Sequence, residues 1–134
     1  MRYVVLGGIA AVLHGVPRAT FDLDILIEST SANAERLLQA LRQAGFGTAD
    51  LIDAPGILAN EITVFNDRVR VDVLTSAPGI AFQDAWNRRE TMDFQGQKFY
   101  VVSRRDLIAS KRAAGRPRDL EDVRILELGP AKSG

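Results

Sequence analysis

Two aspartates, Asp22 and Asp24, stand two residues apart inside the run Arg18-Ala-Thr-Phe-Asp-Leu-Asp-Ile-Leu-Ile27, and that spacing restricts the backbone. In an apolar run, acids at i and i+2 suit a β-strand, where alternate side chains share a face. Leu23, Ile25 and Ile27 then point into a core, and Asp22 and Asp24 lie side by side on the opposite face. Like charges that close repel and raise each other's pKa unless a cation sits between them. Hard oxygen donors favour a divalent ion, magnesium first, with manganese as a substitute. An isolated pair of this kind is more often a solvated strand edge than a metal site. Its neighbours in the sequence favour the metal.

Tyr3-Val-Val-Leu6 is a short apolar run followed directly by Gly7-Gly8 and then Ile9-Ala-Ala-Val-Leu-His14, which reads as strand, glycine turn, helix. Glycines at a helix start let backbone N–H groups approach an anion closely. One loop can therefore hold a polyphosphate whose metal the carboxylates bind. A third acid follows in Val69-Arg-Val-Asp-Val-Leu74, with Val69, Val71 and Val73 on one face and Arg70, Asp72 and Leu74 on the other. A buried acid needs a partner. If this strand pairs with the first acidic one, Asp22, Asp24 and Asp72 converge as a two-metal constellation for phosphoryl or nucleotidyl transfer. The competing reading pairs Asp72 with an arginine, Arg70 or Arg18, but leaves the Asp22/Asp24 pair unexplained.

The ordered series Gly7-Gly8-x-Ala10, His14-Gly15-x-x-Arg18-x-Thr20-x-Asp22-x-Asp24, then Asp72, then Lys111 and Gly115-Arg116-x-x-Asp119-x-x-Asp122 resembles the DNA polymerase β-type nucleotidyltransferase superfamily. Within it the chain is most similar to the small prokaryotic branch that includes AbiE-type and MenT-type toxins. The resemblance implies an α/β (α+β) nucleotidyltransferase fold, a mixed sheet flanked by helices with two helices at the C-terminus. It implies magnesium-dependent transfer of a nucleotide from a nucleoside triphosphate such as ATP, and in several toxins of this branch the acceptor is the 3′ end of tRNA. By position Asp22 and Asp24 match the metal-binding pair and Asp72 the third acid, all three being catalytic. Gly7 and Gly8 match the triphosphate loop and Lys111 the lysine near the phosphates, while Thr20, with Arg18, either fixes its loop or touches the nucleotide. A cognate toxin or antitoxin partner is implied as well.

Two departures from that pattern stand out. Relatives often carry a helix before the first strand, whereas this chain begins two residues ahead of Tyr3. Part of a sheet face is then left uncovered, for a second subunit as in a homodimer, or for a segment upstream of this start. Gly8 also stands where many superfamily members have serine, which removes one hydroxyl contact to phosphate.

At 134 residues the chain suits one domain, spanning 1–134, with one core. Seventeen basic and 17 acidic residues cancel, so no overall field draws the protein to nucleic acid. Absence of cysteine excludes a disulfide framework and a thiolate metal site. No stretch has the length and apolarity of a membrane span, and a cytoplasmic location without membrane contact is expected.

The rest of the chain reads as alternating helices and strands. Ser31 is expected to cap a helix that runs through Leu37, Leu38 and Leu41 toward Gly45. Ile52 to Leu58, with Pro55-Gly56, reads as loop. Glu61–Phe65 and Arg68–Leu74 flank a tight Asn66-Asp67 turn, and Gln95-Gly96-Gln97 separates a second pair of strands. A short helix spans 80–88, Ser103 caps a helix to about Ala114, and Pro117 opens the last. Lys111 shares the inward side of its helix with Leu107 and Ile108 and is expected to run its stem over the core toward a cleft edge. Asp119 shares a face with Val123 and Leu126. Six basic residues against one acid between Ser103 and Arg118 can attract a phosphate-rich acceptor such as RNA, although Arg104 and Arg105 read by default as solvated. His14, the single histidine, is expected to end the first helix and hold the Arg18–Thr20 loop. Catalytic nucleotidyl transfer is thus the leading reading, ahead of a non-catalytic regulatory or antitoxin-like nucleotide-binding module. Nucleotidylation of a small molecule is a third, for which the chain looks short of an acceptor-binding domain.

Overall fold

Six strands form a single mixed sheet in the computed structural model of the chain, which describes residues 1–20 and 22–129. They are β1 (Tyr3–Leu6), β2 (Leu23–Ile27), β3 (Ile62–Asn66), β4 (Arg70–Leu74), β5 (Glu90–Phe94) and β6 (Gln97–Val101), in the spatial order β3-β4-β2-β1-β6-β5. The β1–β6 and β2–β4 pairs are parallel and the other three antiparallel. Helices α1 (Gly7–Leu13), α2 (Ser31–Gln43), α3 (Ala54–Leu58), α4 (Phe82–Asn87), α5 (Arg104–Ala114) and α6 (Pro117–Glu127) complete the architecture. The expected α/β class, with a mixed sheet flanked by helices and two helices at the C-terminal end, is therefore present. Of the expected domain, residues 21 and 130–134 lie outside the described residues.

The central strands are largely apolar, and most of their side chains are buried. Val4, Val5 and Leu6 on β1 and Ile25, Leu26 and Ile27 on β2 are all buried, the pattern of strands sandwiched between layers. Leu37, Leu38 and Leu41 of α2 and Leu107 of α5 join them in the core. One sheet face, carrying Tyr3, Val5, Leu23, Ile25, Val71 and Phe99, is incompletely covered: an apolar groove of about 860 Å³ runs along it, with Leu37 and Leu41 of α2 in its wall and, among the described residues, no charged side chain in its lining. Asp24 and Asp72, at the alternate strand positions, belong to the opposite face.

Several local expectations are corrected. Residues 54–58 are helical rather than loop: the Asp53 carboxylate accepts the Gly56 N–H at 2.9 Å and Pro55 lies in the first turn, a start signal that outweighs the glycine because Ala54 and Ile57 are buried. Thr30, not Ser31, caps α2 by accepting from the Asn33 N–H. The β3–β4 connection is Asp67-Arg68-Val69, since Asn66 pairs with Arg70. The favoured two-residue turns need a positive φ at one or both central residues, and no glycine is there to supply it. Val69, expected on the buried face, consequently lies in this turn and is 51% exposed. The β5–β6 turn, by contrast, is a two-residue turn with φ of 52° at Gln95 and 80° at Gly96. Among the described residues no helix is long and apolar enough to cross a membrane.

Ser103 caps α5 as expected, its hydroxyl accepting the Asp106 N–H at 3.1 Å, and Gly115 ends that helix in the left-handed conformation with φ of 67°. Since α5 carries Lys111, this cap bears on the cleft described below. Ser103→Ala is expected to lower unfolding stability by about 1 kcal/mol, read from urea denaturation midpoints at unchanged slope; no change would mean that the cap is not holding the helix start.

Candidate active site

The candidate site is built where β1 ends. The β1–β2 register sets Leu6 against Asp24, and the parallel β2–β4 register sets Asp24 against Asp72. The chain leaves β1 straight into α1 through Gly7, whose φ is +67° and where an added Cβ would overlap the Asp24 carboxylate. A Cβ at Gly8 would come 2.9 Å from Thr20 Oγ1 and 3.1 Å from Arg18 Nη2. Glycine at these two positions therefore lets the strand–helix turn lie directly against the acids and the Arg18–Thr20 segment.

A cleft of about 310 Å³ is lined by Gly7, Gly8, Thr20, Asp22, Asp24, Asp72 and Lys111, together with Arg18, Arg116, Arg118 and Asp119. All seven residues singled out from the sequence thus meet in one place. Asp22 precedes β2 and is exposed, whereas Asp24 is half-buried. Burial, then the charge of Asp72 and the hydrogen bond shared with it, then the charge of Asp22, push the Asp24 carboxyl from an ordinary 3.8 up to about 6.

Asp72 does not stand as a bare third acid. Arg70, two residues back on the same strand face, donates from Nε to Asp72 Oδ1 at 2.9 Å and from Nη2 to Oδ2 at 3.3 Å. The arginine pairing, ranked second from the sequence, is present beside the acid cluster. Among the described residues no three His, Cys, Asp or Glu side chains stand in an arrangement that could hold a metal ion. By chemistry the donors suit a hard divalent ion: oxygen ligands, mutually repelling, one of them with a raised pKa. In arrangement, both oxygens of Asp72 are already engaged by Arg70.

The opposite wall of the cleft is basic and internally paired. Lys111 is 6% exposed, with Nζ 2.8 Å from Asp122 Oδ2 and 3.6 Å from Asp119 Oδ1. Arg18 Nη1 lies 3.2 Å from Asp122 Oδ2, and Arg116 Nε lies 2.6 Å from Asp119 Oδ2. Burial would raise the Asp119 carboxyl, but the hydrogen bond from Arg116 and the charges of Arg116 and Lys111 outweigh it and hold it below its ordinary value. Three cations face two acids, so the cluster keeps one positive charge in excess. Lys111 thus runs inward as expected, but its ammonium is tethered by α6 rather than free at a cleft edge. The tethering role of Asp119 and Asp122 was missed from the sequence; their spacing of three, with Lys111 one helix earlier, was the available signal. His14 is corrected too: its Nε2 lies 2.8 Å from the Val102 carbonyl and 3.5 Å from Glu90, so it ties α1 to the end of β6 and not to the Arg18–Thr20 loop.

This sheet, with a glycine turn against two acidic strands, has the fold of a nucleotidyltransferase. The chain belongs to the family described as "Nucleotidyltransferase of unknown function (DUF6036)", which matches residues 1–129. Among solved structures it is similar in fold to an antigenic nucleotidyltransferase-like protein from Paracoccidioides brasiliensis, with a TM-score of 0.56 and 18% identity over 92% of this chain. It spans 66% of that longer chain, just under two thirds. No curated protein matches the sequence.

The raised Asp24 pKa has a stability consequence with a definite sign. Between about pH 4 and about pH 6 the folded state keeps a proton that the unfolded state has lost, so this group's contribution falls as pH rises through that window. Asp24→Asn removes the titration. Relative to the variant, the metal-free protein is expected to lose about 1–2 kcal/mol from pH 4 to 7, after allowance for partial exposure. Denaturant midpoints across that range test it, and parallel pH profiles would show that the two strand acids do not repel.

Proposed function

We propose that the chain is a magnesium-dependent nucleotidyltransferase that moves a nucleoside monophosphate from a nucleoside triphosphate, ATP among the candidates, to an acceptor hydroxyl. The observation that carries the reading is the polarity of one cleft: Asp22, Asp24 and Asp72 on one wall, and Lys111, Arg116 and Arg118 on the other, with Gly7 and Gly8 between. A divalent ion, magnesium or manganese, held by the three aspartates would offset most of their charge and draw electron density from the α-phosphate.

The chain's own residues supply the rest. Gly7 and Gly8 present no side chain, so phosphate oxygens can approach the backbone. Lys111, fixed by Asp122 and Asp119, and the exposed Arg116 and Arg118 stabilise charge that grows on the departing pyrophosphate. Thr20, against Gly8, borders the same phosphates. The acceptor hydroxyl oxygen forms a bond to the α-phosphorus, the bond to the β-phosphate oxygen breaks, and pyrophosphate leaves with that electron pair. Asp72 accepts the hydroxyl proton.

An RNA 3′ end is the acceptor class we favour, in keeping with the resemblance to toxin nucleotidyltransferases and hence with a cognate antitoxin and a cytoplasmic setting. Its support here is a basic groove on α5, lined by Arg104, Arg105 and Arg112 with Ile108 and Ala109, on a chain whose charges cancel overall; Arg112 also pairs with Glu127. A second reading, a non-catalytic nucleotide-binding module, draws on the Arg70–Asp72 pair, which engages both oxygens of the third acid.

Incubation with each α-labelled triphosphate, Mg²⁺ and total RNA separates the two. Transfer of label to RNA is expected, and Asp22→Asn, at an exposed position, should leave folding intact while lowering transfer on the order of a hundredfold or more. Triphosphate binding without transfer to RNA, protein or small molecules would favour the module. Absence of binding would overturn both.

A further inference from the structure

Each cation on the basic wall that is tied into the fold already has an acidic partner on α6: Lys111 and Arg18 meet Asp122, and Arg116 meets Asp119. The acid wall has a cation of its own. Arg70 and Asp72 occupy positions i and i+2 of β4 and so share a strand face. The guanidinium engages Asp72 through two parallel hydrogen bonds, at 2.9 Å and 3.3 Å. Asp24 lies at the paired register position on β2, and Asp22 lines the same cleft.

We infer that Arg70 is the built-in counter-cation of the acid cleft, holding Asp72 while no metal is bound and yielding it when a divalent ion enters. The inference rests on the metal-dependent reading above and adds to it a competitor encoded in the chain. Two features carry it. First, the fork engages both Asp72 oxygens, so guanidinium and metal cannot both hold that carboxylate in full. Second, the Arg70 side chain is 46% exposed against 17% for Asp72. Its departure therefore moves a charge into water and leaves no buried cation behind, whereas its removal by mutation leaves Asp72 facing Asp24 without a cation. A planar guanidinium freed in this way suits phosphate oxygens as well as it suits a carboxylate, so the exchange is easiest when the ion arrives with a triphosphate.

The test uses the full chain as wild type, Arg70→Gln and Arg68→Gln, the last removing an exposed charge from the same hairpin. MnCl₂ and MgCl₂ alone are titrated calorimetrically, and melting temperatures are recorded with and without metal. In Arg70→Gln the metal-free protein should melt lower, metal should bind about three- to tenfold more tightly, as expected for loss of a half-exposed competing pair, and the rise in melting temperature on saturation should be larger. Arg68→Gln should behave as wild type. If Arg70→Gln does not fold, Arg70→Lys, which keeps the charge but loses the fork, should bind metal more tightly than wild type by a smaller factor. Metal binding that is equal in wild type and the Arg70 variant, or weaker in the variant, overturns the inference and leaves the metal site standing. An equal gain in Arg68→Gln overturns it too, since general charge would then explain the effect. Failure of every form to bind either ion overturns the metal reading and this inference with it.

Discussion

Asp24 and Asp72 face each other at one register step of a parallel strand pair, with a glycine backbone pressed against the first. Two half-buried like charges are costly unless cations answer them, and much of what surrounds them answers that charge. Arg70 clamps Asp72 from its own strand. Asp24, with no such clamp among the described residues, has its carboxyl pushed up to about 6 by burial and by the charge of Asp72. Gly7 stands where a side chain would collide with Asp24. The same repulsion that destabilises the cleft is what underlies the proposal that a divalent cation binds there.

The basic wall is organised by the opposite device. Lys111, Asp119 and Asp122 are all nearly inaccessible to water, and a buried charge survives only with partners. Such clusters contribute little net stability against a well-packed apolar alternative, but removing one member leaves another charge stranded. Their effect is on orientation. Through Arg18 and Asp122, 104 residues apart, the segment leading into the acid strand is tied to the last helix. The cleft therefore depends on α5 and α6 being docked, and a substitution at Asp122 is a perturbation of the site as much as of the helix.

Legibility from the sequence followed the range of the physics involved. The acid pair, the strand with Asp72, the glycine turn and the cap at Ser103 were readable because period-two alternation and capping chemistry act over a few residues. The short helix at Ala54–Leu58 was missed because a glycine within it reads as a breaker, and only the burial of Ala54 and Ile57 shows why it forms. His14 was assigned to the wrong neighbour. Its true partner is a carbonyl 88 residues away, and no local pattern carries that distance.

The sequence by itself determined that three aspartates, two glycines and a lysine would be offered by particular strands, turns and helices, since those assignments rest on alternation and local backbone preference. Only the tertiary structure decided how those charges pair. It set Asp24 beside Asp72 through the β2–β4 register, gave Asp72 to Arg70, and gave Lys111 to Asp122 and Asp119. The reason is that every charge in the cleft had more than one candidate partner within reach in sequence terms. Selection among them depends on burial and on a few ångströms of separation, which exist only once the sheet has formed and α5 and α6 have closed over it.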